Sequence, residues 1–319
     1  MKNTEELTLT EVVTGEEKSE SCCGPECCSD DSQKNTTETK AQKTPQKTQE
    51  EKTAEELKQI VKEQYSKIAF QSKETNESSC CGATGCCDSD VYSIMTDQYK
   101  GMEGYNPDAD LGLGCGLPTQ FAKIKEGDVV LDLGSGAGND CFVARAQTGE
   151  KGRVIGLDMT PAMIEKAQKN TKKLGYSNID FYLGDIEDMP IANNTADVVV
   201  SNCVINLVPD KLKAFSEIYR VMKPGGHFSI SDIVLTGELP HRIKQAAEMY
   251  AGCVSGAIRK EKYIDIISRL GFKNIAVQKE KLITVPKSIL SDYLTPEEIT
   301  DYRQNGYGIY SITVYGEKA

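Results

Sequence analysis

A parallel, doubly wound α/β sheet is the fold this sequence predicts, and three observations point to it. Between residues 126 and 235, short β-branched runs alternate with segments of helical periodicity, the pattern of a parallel sheet whose crossovers are helices. The first run, VVLDL, opens directly into a glycine-rich turn, DLGSGAG. The second and third end in aspartates, in VIGLDMT and LGDIEDMP.

The elements follow in order. In AEELKQIVKEQYSKIAF, Leu57, Ile60, Val61, Tyr65 and Ile68 fall at helical spacing, so ordered structure is expected from about Ala54. EGDVVLDLGSGAGNDCFVARAQTG predicts a buried strand from Val129 to Leu133, a glycine loop and a helix. GRVIGLDMT is a second strand. PAMIEKAQKNTKKLG is a helix that Pro161 starts and Gly175 ends. IDFYLGDIEDMP, ADVVVSNCVINL and HFSISDIVL supply three more strands. Between the last two, Asp210 to Met222 is an amphipathic helix that VMKPGG terminates. Late in the chain, FKNIAVQKE and YSITVYGEK read as two strands at the sheet edge.

Four segments result: 1–55, 56–125, 126–235 and 236–319. The first holds 13 acidic and 7 basic residues and no aromatics. Such a segment buries too little apolar surface to offset its ordering entropy, so a disordered acidic tail is expected. The second is a cysteine-bearing segment expected to cap the site, the third the sheet core, the fourth a C-terminal extension. The net charge of −11 excludes nucleic acid and anionic membrane surfaces as natural partners. No apolar run approaches ~18 residues, and the N-terminus lacks a signal-peptide core; a cytoplasmic protein is expected. Twelve cysteines in such a chain suggest metal, metalloid or redox chemistry rather than a disulfide framework.

The cysteines come in two groups. ESCCGPECC (Cys22, Cys23, Cys27, Cys28) nearly recurs as SSCCGATGCC (Cys80, Cys81, Cys86, Cys87). Three others lie singly: Cys115 between glycines in LGLGCGLP, Cys203 where the fourth core strand ends in SNCVINLVPD, and Cys253 among small residues in YAGCVSGAI. The glycines beside Cys115 are expected to expose its thiol and let the loop fold over the site. Cys141, on the helix after the glycine loop, reads as a small buried hydrophobe.

The glycine loop is the first chemical site. Gly134, Gly136 and Gly138 allow a sharp turn and bring backbone N–H groups against a ligand, although the spacing is not that of the dinucleotide motif. Asp158 ends the second strand, 20 residues after Gly138, where a carboxylate can accept both ribose hydroxyls. Asp185 ends the third, suited to an adenine amino group, with Ile186 beside the ring. These residues at the ends of strands one, two and three outline one crevice.

VVLDLGSGAG, VIGLDMT, LGDIEDMP and VMKPGG, in that order, resemble the class I S-adenosylmethionine-dependent methyltransferases. The resemblance implies a Rossmann-like, mostly parallel sheet with an antiparallel last strand, for which YSITVYGEK is the candidate. It implies S-adenosylmethionine as cofactor, with Asp132, Gly134, Ser135, Gly136, Gly138, Asp158, Met159, Asp185 and Ile186 around it. Asn202, at a strand end, is either an orienter of the cofactor amino group or a turn residue.

The acceptor is suggested by the cysteines. Neither histidine, His227 nor His241, flanks a recognisable acceptor motif. Thiolates select soft centres, and the CxxC pairs usual in zinc sites are absent. Trivalent arsenic is soft, takes three sulfurs and keeps a lone pair, which is itself the nucleophile. SNCVINLVPD, GCGLP, DLGSGAGNDC and AGCVSGA resemble the arsenite S-adenosylmethionine methyltransferase family over about residues 60–275. The resemblance implies that Cys203 and Cys253 bind As(III), and that Cys115 joins them or forms a disulfide during turnover. The family's N-terminal cysteine falls among Cys80, Cys81, Cys86 and Cys87. It also implies As(III)–thiol complexes as substrate, glutathione or thioredoxin as reductant, and a monomer. The tyrosine pair the family carries before GCG is leucine and glycine here. Two other readings remain: methylation of a quinone or other small organic acceptor, and soft-metal sequestration without catalysis.

Overall fold

The computed structural model describes residues 53–71, 99–237, 239, 242, 254, 256–285, 287–304 and 308–319. Residues 1–52 of the expected acidic tail, Cys80, Cys81, Cys86 and Cys87, and Cys253 lie outside the described residues, while Ala54 and Glu55 are helical.

Seven strands form one sheet: β1 (Val129–Leu133), β2 (Arg153–Asp158), β3 (Ile179–Leu183), β4 (Ala196–Asn202), β5 (Met222–Thr236), β6 (Lys273–Ile283) and β7 (Gly308–Glu317), in the order β3-β2-β1-β4-β5-β7-β6. β1 to β5 pair in parallel. β7 runs antiparallel to both its neighbours, so it alone opposes the sheet direction. The helices are α1 (Ala54–Ile68), α2 (Pro118–Phe121), α3 (Asn139–Thr148), α4 (Pro161–Leu174), α5 (Lys211–Val221), α6 (Lys260–Arg269), α7 (Lys287–Tyr293) and α8 (Pro296–Gln304).

Alternate strand residues go to opposite faces. Leu131, Leu133 and Val199 join the core shared with Phe215 and Ile218 of α5 and Tyr263 and Ile267 of α6. Val130, Val198 and Val200 face the other way, toward Cys141 and Phe142 of α3 and Met163 of α4. Both faces are covered, which is why these strands read as continuous apolar runs. α4 starts at Pro161 and ends on Gly175 in the left-handed region. Asp210 caps α5 by accepting the Lys213 N–H.

Three expectations are corrected. Of the two late strands, only β6 is at the edge; β7 lies inside the sheet, between β5 and β6. Ile309, Ile312 and Val314 are fully buried on β7, whereas β6 exposes Lys273 and Glu280 and leaves Lys279 and Lys281 half-buried. An interior strand needs apolar residues on both faces, and charged ones suit an edge. The strand in ADVVVSNCVINL stops at Asn202, with a 3₁₀ turn at Ile205–Leu207. On α1, Leu57 and Ile60 are exposed, and the inward face is Lys58, Val61 and Tyr65, turned by an ion pair described below.

Residues Glu51–Ala319 pack as one compact unit. The segments 56–125, 126–235 and 236–319 therefore share a core: Cys115, Cys203, Ile233, Val254 and Leu290 belong to one apolar cluster.

Candidate active site

The cleft lies at the carboxyl ends of the parallel strands, where β1 and β4 separate their connections. It encloses about 1150 Å³ of atom-free space, part of it open to solvent. Among its lining residues are Asp132, Gly134, Ser135, Gly136, Asp158, Met159, Asp185, Ile186, Asn202 and Cys203. Ten residues far apart in the sequence thus meet in one place. Gly138 lies beside this group as the left-handed N-cap of α3.

The glycine loop is held from below. The N–H groups of Gly134 and Ser135 both donate to the Leu157 carbonyl, at 2.7 and 3.0 Å. Gly134 has φ +67°, and a Cβ there would collide with Val204, so only glycine fits. Asp158 closes the turn: Oδ2 accepts the Gly136 N–H at 3.0 Å and Oδ1 the Thr160 N–H at 2.8 Å. A carboxylate offers about four lone-pair sites, so these two bonds do not exhaust its capacity to accept from a ligand hydroxyl. Ser135 Oγ is buried without a hydrogen-bond partner. An orphaned hydroxyl in a closed turn marks a place for a polar ligand.

The cleft is acidic. Asp132 and Asp158 are buried and Asp140 is half-buried, and desolvation pushes each carboxyl above the usual range. For Asp132 the neighbouring Asp140 charge adds to the rise. Asp140 is pushed up to about 6, despite hydrogen bonds from Tyr99, Asn202 and Thr119 that act against burial. Three carboxylates held at a desolvation cost fit a cationic ligand. Together with the open lone pairs of Asp158, they fit a ribosylated sulfonium compound.

Cys203 also lines the cleft. Cys203 directly follows β4 with φ +61°, a left-handed conformation that costs a non-glycine residue roughly 1–2 kcal/mol and clusters at functional positions. Its N–H donates to the Ser231 carbonyl at 2.8 Å. Cys115 is drawn to the same strand end, its N–H donating to Asn202 Oδ1 at 3.0 Å. The expected exposed thiol is not found: Cys115 is 1% exposed, because its loop is bonded to β4 on one side and to Ser311 of β7 on the other. Cys141 is buried as expected, and it also donates to Asp132 Oδ2 at 3.2 Å.

Several cleft residues were not singled out in the sequence. Lys58 reaches from α1 to Asp185 Oδ2 (2.7 Å) and Glu187 Oε2 (2.6 Å). Burial opposes its charge, but these two hydrogen bonds outweigh it and hold the lysine above its ordinary pKa. Asp185 is therefore ion-paired where a purely ligand-facing carboxylate was expected. Tyr65 and Tyr99 put two aromatic rings at the cleft, although the family's tyrosine pair before GCG is absent. The signal for Lys58 was its i, i+3, i+7 spacing with Val61 and Tyr65.

Comparison with known proteins agrees with this geometry. Residues 124–271 match the family model of a methyltransferase domain. The chain is 37% identical to an arsenite methyltransferase of Halobacterium salinarum, over 78% of this chain and 64% of that protein. It is 30% identical to the arsenite methyltransferase of Aquipseudomonas alcaligenes, over 75% of this chain and 68% of that protein. The human arsenite methyltransferase is 40% identical, over 54% of this chain and 48% of its own length. The chain thus spans roughly half to two thirds of the curated relatives it matches. The crystal structure of an arsenic (III) S-adenosylmethionine methyltransferase from Chlamydomonas reinhardtii superposes with a TM-score of 0.54 at 33% identity, covering 72% of this chain and 74% of that one. A shared strand order is common to many methyltransferases, but identity at this level over most of the chain, with Cys203 lining the cleft, is specific: the chain belongs to the arsenite methyltransferase family.

Proposed function

We propose that the chain transfers methyl groups from S-adenosylmethionine to trivalent arsenic held by Cys115, Cys203 and Cys253. The observation that carries this reading is that Cys203 opens onto the cleft lined by the glycine loop and Asp158. Bound there, S-adenosylmethionine supplies an electrophilic methyl carbon. The residues of the chain do the rest. Asp158 offers its remaining lone pairs to the ribose hydroxyls, Ile186 packs beside the adenine, and the backbone of Gly134 and Gly136 borders the methionine end. Asp132 and Asp140 supply negative potential around the sulfonium charge.

As(III) arrives as a thiol complex and exchanges onto cysteine thiolates, the reacting form of the side chain. Cys115 and Cys203 lie in one apolar cluster, and Val254, the neighbour of Cys253 in the chain, is buried in the same cluster. The arsenic lone pair attacks the methyl carbon, so no general base is required. Positioning is then the chief contribution, for which ~7–11 kcal/mol is the upper range. Transfer leaves arsenic formally pentavalent. Two cysteine thiols return the electron pair as a disulfide, Cys115 with one of Cys80, Cys81, Cys86 or Cys87, and glutathione or thioredoxin reduces it. Among the described residues no helix is long and apolar enough to cross a membrane.

The test is incubation with arsenite, S-adenosylmethionine and glutathione, with arsenic species read by mass spectrometry. Cys203→Ser and Cys253→Ser should abolish methylation of inorganic and monomethylated arsenic alike, because oxygen is a poor ligand for a soft centre. Loss of the reactive N-terminal cysteine should slow inorganic arsenite only. Full activity of Cys203→Ser on both substrates would place the acceptor elsewhere and favour an organic acceptor.

A further inference from the structure

Asn202 makes more bonds than its place beside Cys203 requires. Its Oδ1 accepts the backbone N–H groups of Cys115 (3.0 Å) and Gly116 (3.3 Å), with the Cys115 Sγ at 3.8 Å. Its Nδ2 donates to the Gly116 carbonyl (2.8 Å), the Tyr99 hydroxyl (2.5 Å) and Asp140 Oδ2 (3.3 Å). A carboxamide has two donor hydrogens and two acceptor lone pairs. The protein itself saturates this one. A ligand amino group would have to displace a bond that holds the Cys115 loop.

The partners form a chain across the site. Asp140 stands in the first turn of α3, directly after the glycine loop, and accepts the Tyr99 hydroxyl at 2.6 Å and Thr119 Oγ1 at 3.4 Å. Tyr99 in turn packs in a buried cluster with Leu117, two residues after Cys115. The loop is also held from the far side, where Ser311 Oγ donates to the Cys115 carbonyl at 2.5 Å. The fit leaves no slack: a Cβ at Gly114 would lie 2.6 Å from Asn202 Nδ2, and one at Gly116 would lie 2.5 Å from Ser231 Oγ. Residues separated by 41 to 196 positions converge on the backbone around one thiol.

We infer that Asn202, backed by Tyr99 and Asp140, is a positioning residue for the Cys115 thiol and not a ligand of the methyl donor. The brace joins the end of the glycine loop to the loop that presents the acceptor sulfur, so that donor and acceptor subsites keep a set separation. What Cys115 holds rests on the reading proposed above; the brace itself does not.

The full chain carrying Tyr99→Phe or Asn202→Asp tests this, with no arsenic present in the first measurement. Iodoacetamide labelling of Cys115, read by peptide mass spectrometry, reports how often the buried loop opens. Cys141, fully buried on α3, is the internal control for general unfolding. Labelling of Cys115 should quicken at least roughly fivefold in Tyr99→Phe, because the hydroxyl's bonds to Asp140 and from Asn202 are both lost, while Cys141 keeps its rate. Asn202→Asp, which turns both donors into acceptors against Asp140, should quicken it more. In turnover of Tyr99→Phe at pH 8, where Asp140 is ionised, KM for arsenite should rise and kcat fall, with the dissociation constant for S-adenosylmethionine within twofold of the parent. Unchanged Cys115 labelling in Tyr99→Phe would overturn the inference, and so would equal quickening of Cys141. A tenfold loss of S-adenosylmethionine affinity with unaltered labelling would make Asn202 a donor ligand instead. If Asn202→Asp fails to fold, Tyr99→Phe decides alone, since it removes one hydroxyl and nothing else. Should the parent protein methylate no arsenite while Cys115 labelling still responds, the proposed function fails and the brace stands.

Discussion

Asp140 is a carboxylate held where ionisation is costly. Burial raises it to about 6, with Tyr99, Asn202 and Thr119 pulling the other way. A cationic ligand bound beside it favours the ionised form, so binding should expel protons. The sign follows: affinity for S-adenosylmethionine should tighten as pH rises from 5 to 7, by roughly tenfold as the ionised fraction grows, and level off above. The ligand-free fold behaves oppositely, losing stability as pH rises from the unfolded carboxylate pKa through about 6. Calorimetric titrations in buffers of different ionisation heat would count the protons, and a flat profile or proton uptake would sink the electrostatic account. Asp158 was legible in the sequence because its distance from the glycine loop is characteristic. Asp140 was not, because an acid in the first turn of a helix ordinarily serves the helix alone.

At the scale of elements, α1 is the clearest case of a helix whose facing is decided elsewhere. It begins with a capping box, Thr53 with Glu56, and its periodicity announces a helix correctly. The apolar stripe, however, predicts Leu57 and Ile60 facing inward, and both are 42% exposed. Lys58 turns the helix by pairing with Asp185 and Glu187, more than a hundred residues away. Glu187 is only 7% exposed at its side chain, so removing its partner leaves a nearly buried charge. Lys58→Met should therefore destabilise the protein by roughly 1–3 kcal/mol, discounted for the exposure of Asp185. Faster amide exchange confined to α1 would accompany it. A variant with unchanged melting and exchange would show the pair to be ornamental. The order of β6 and β7 has the same character: both strands are evident from residue type, but only their contrasting burial shows which one is inside.

For the whole molecule, the unit that packs begins at Glu51, and the capping residue Thr53 comes before the boundary expected at residue 55. Deleting residues 1–50 should leave the melting temperature and S-adenosylmethionine affinity nearly intact, because their composition cannot build a core. Deleting residues 1–70 should weaken cofactor binding sharply, since Lys58, Val61 and Tyr65 form one wall of the cleft. Melting curves and ligand titrations of the two truncations distinguish these outcomes. Equal loss in both would mean that the first fifty residues contribute to the cofactor site.

The sequence by itself determined the element order, the parallel sheet and the glycine loop with Asp158 at the end of the next strand. These are local signals: periodicities of 2 and 3.6 residues, glycines where φ must be positive, and residue types fixed by chemistry. Only the tertiary structure decided that Asn202 is saturated by the Cys115 loop, that Asp185 pairs with Lys58, and that the Cys115 thiol is buried. Each depends on partners 87 to 196 residues apart. Hydrogen-bond saturation and burial are sums over neighbours in space, and no window of sequence contains those neighbours.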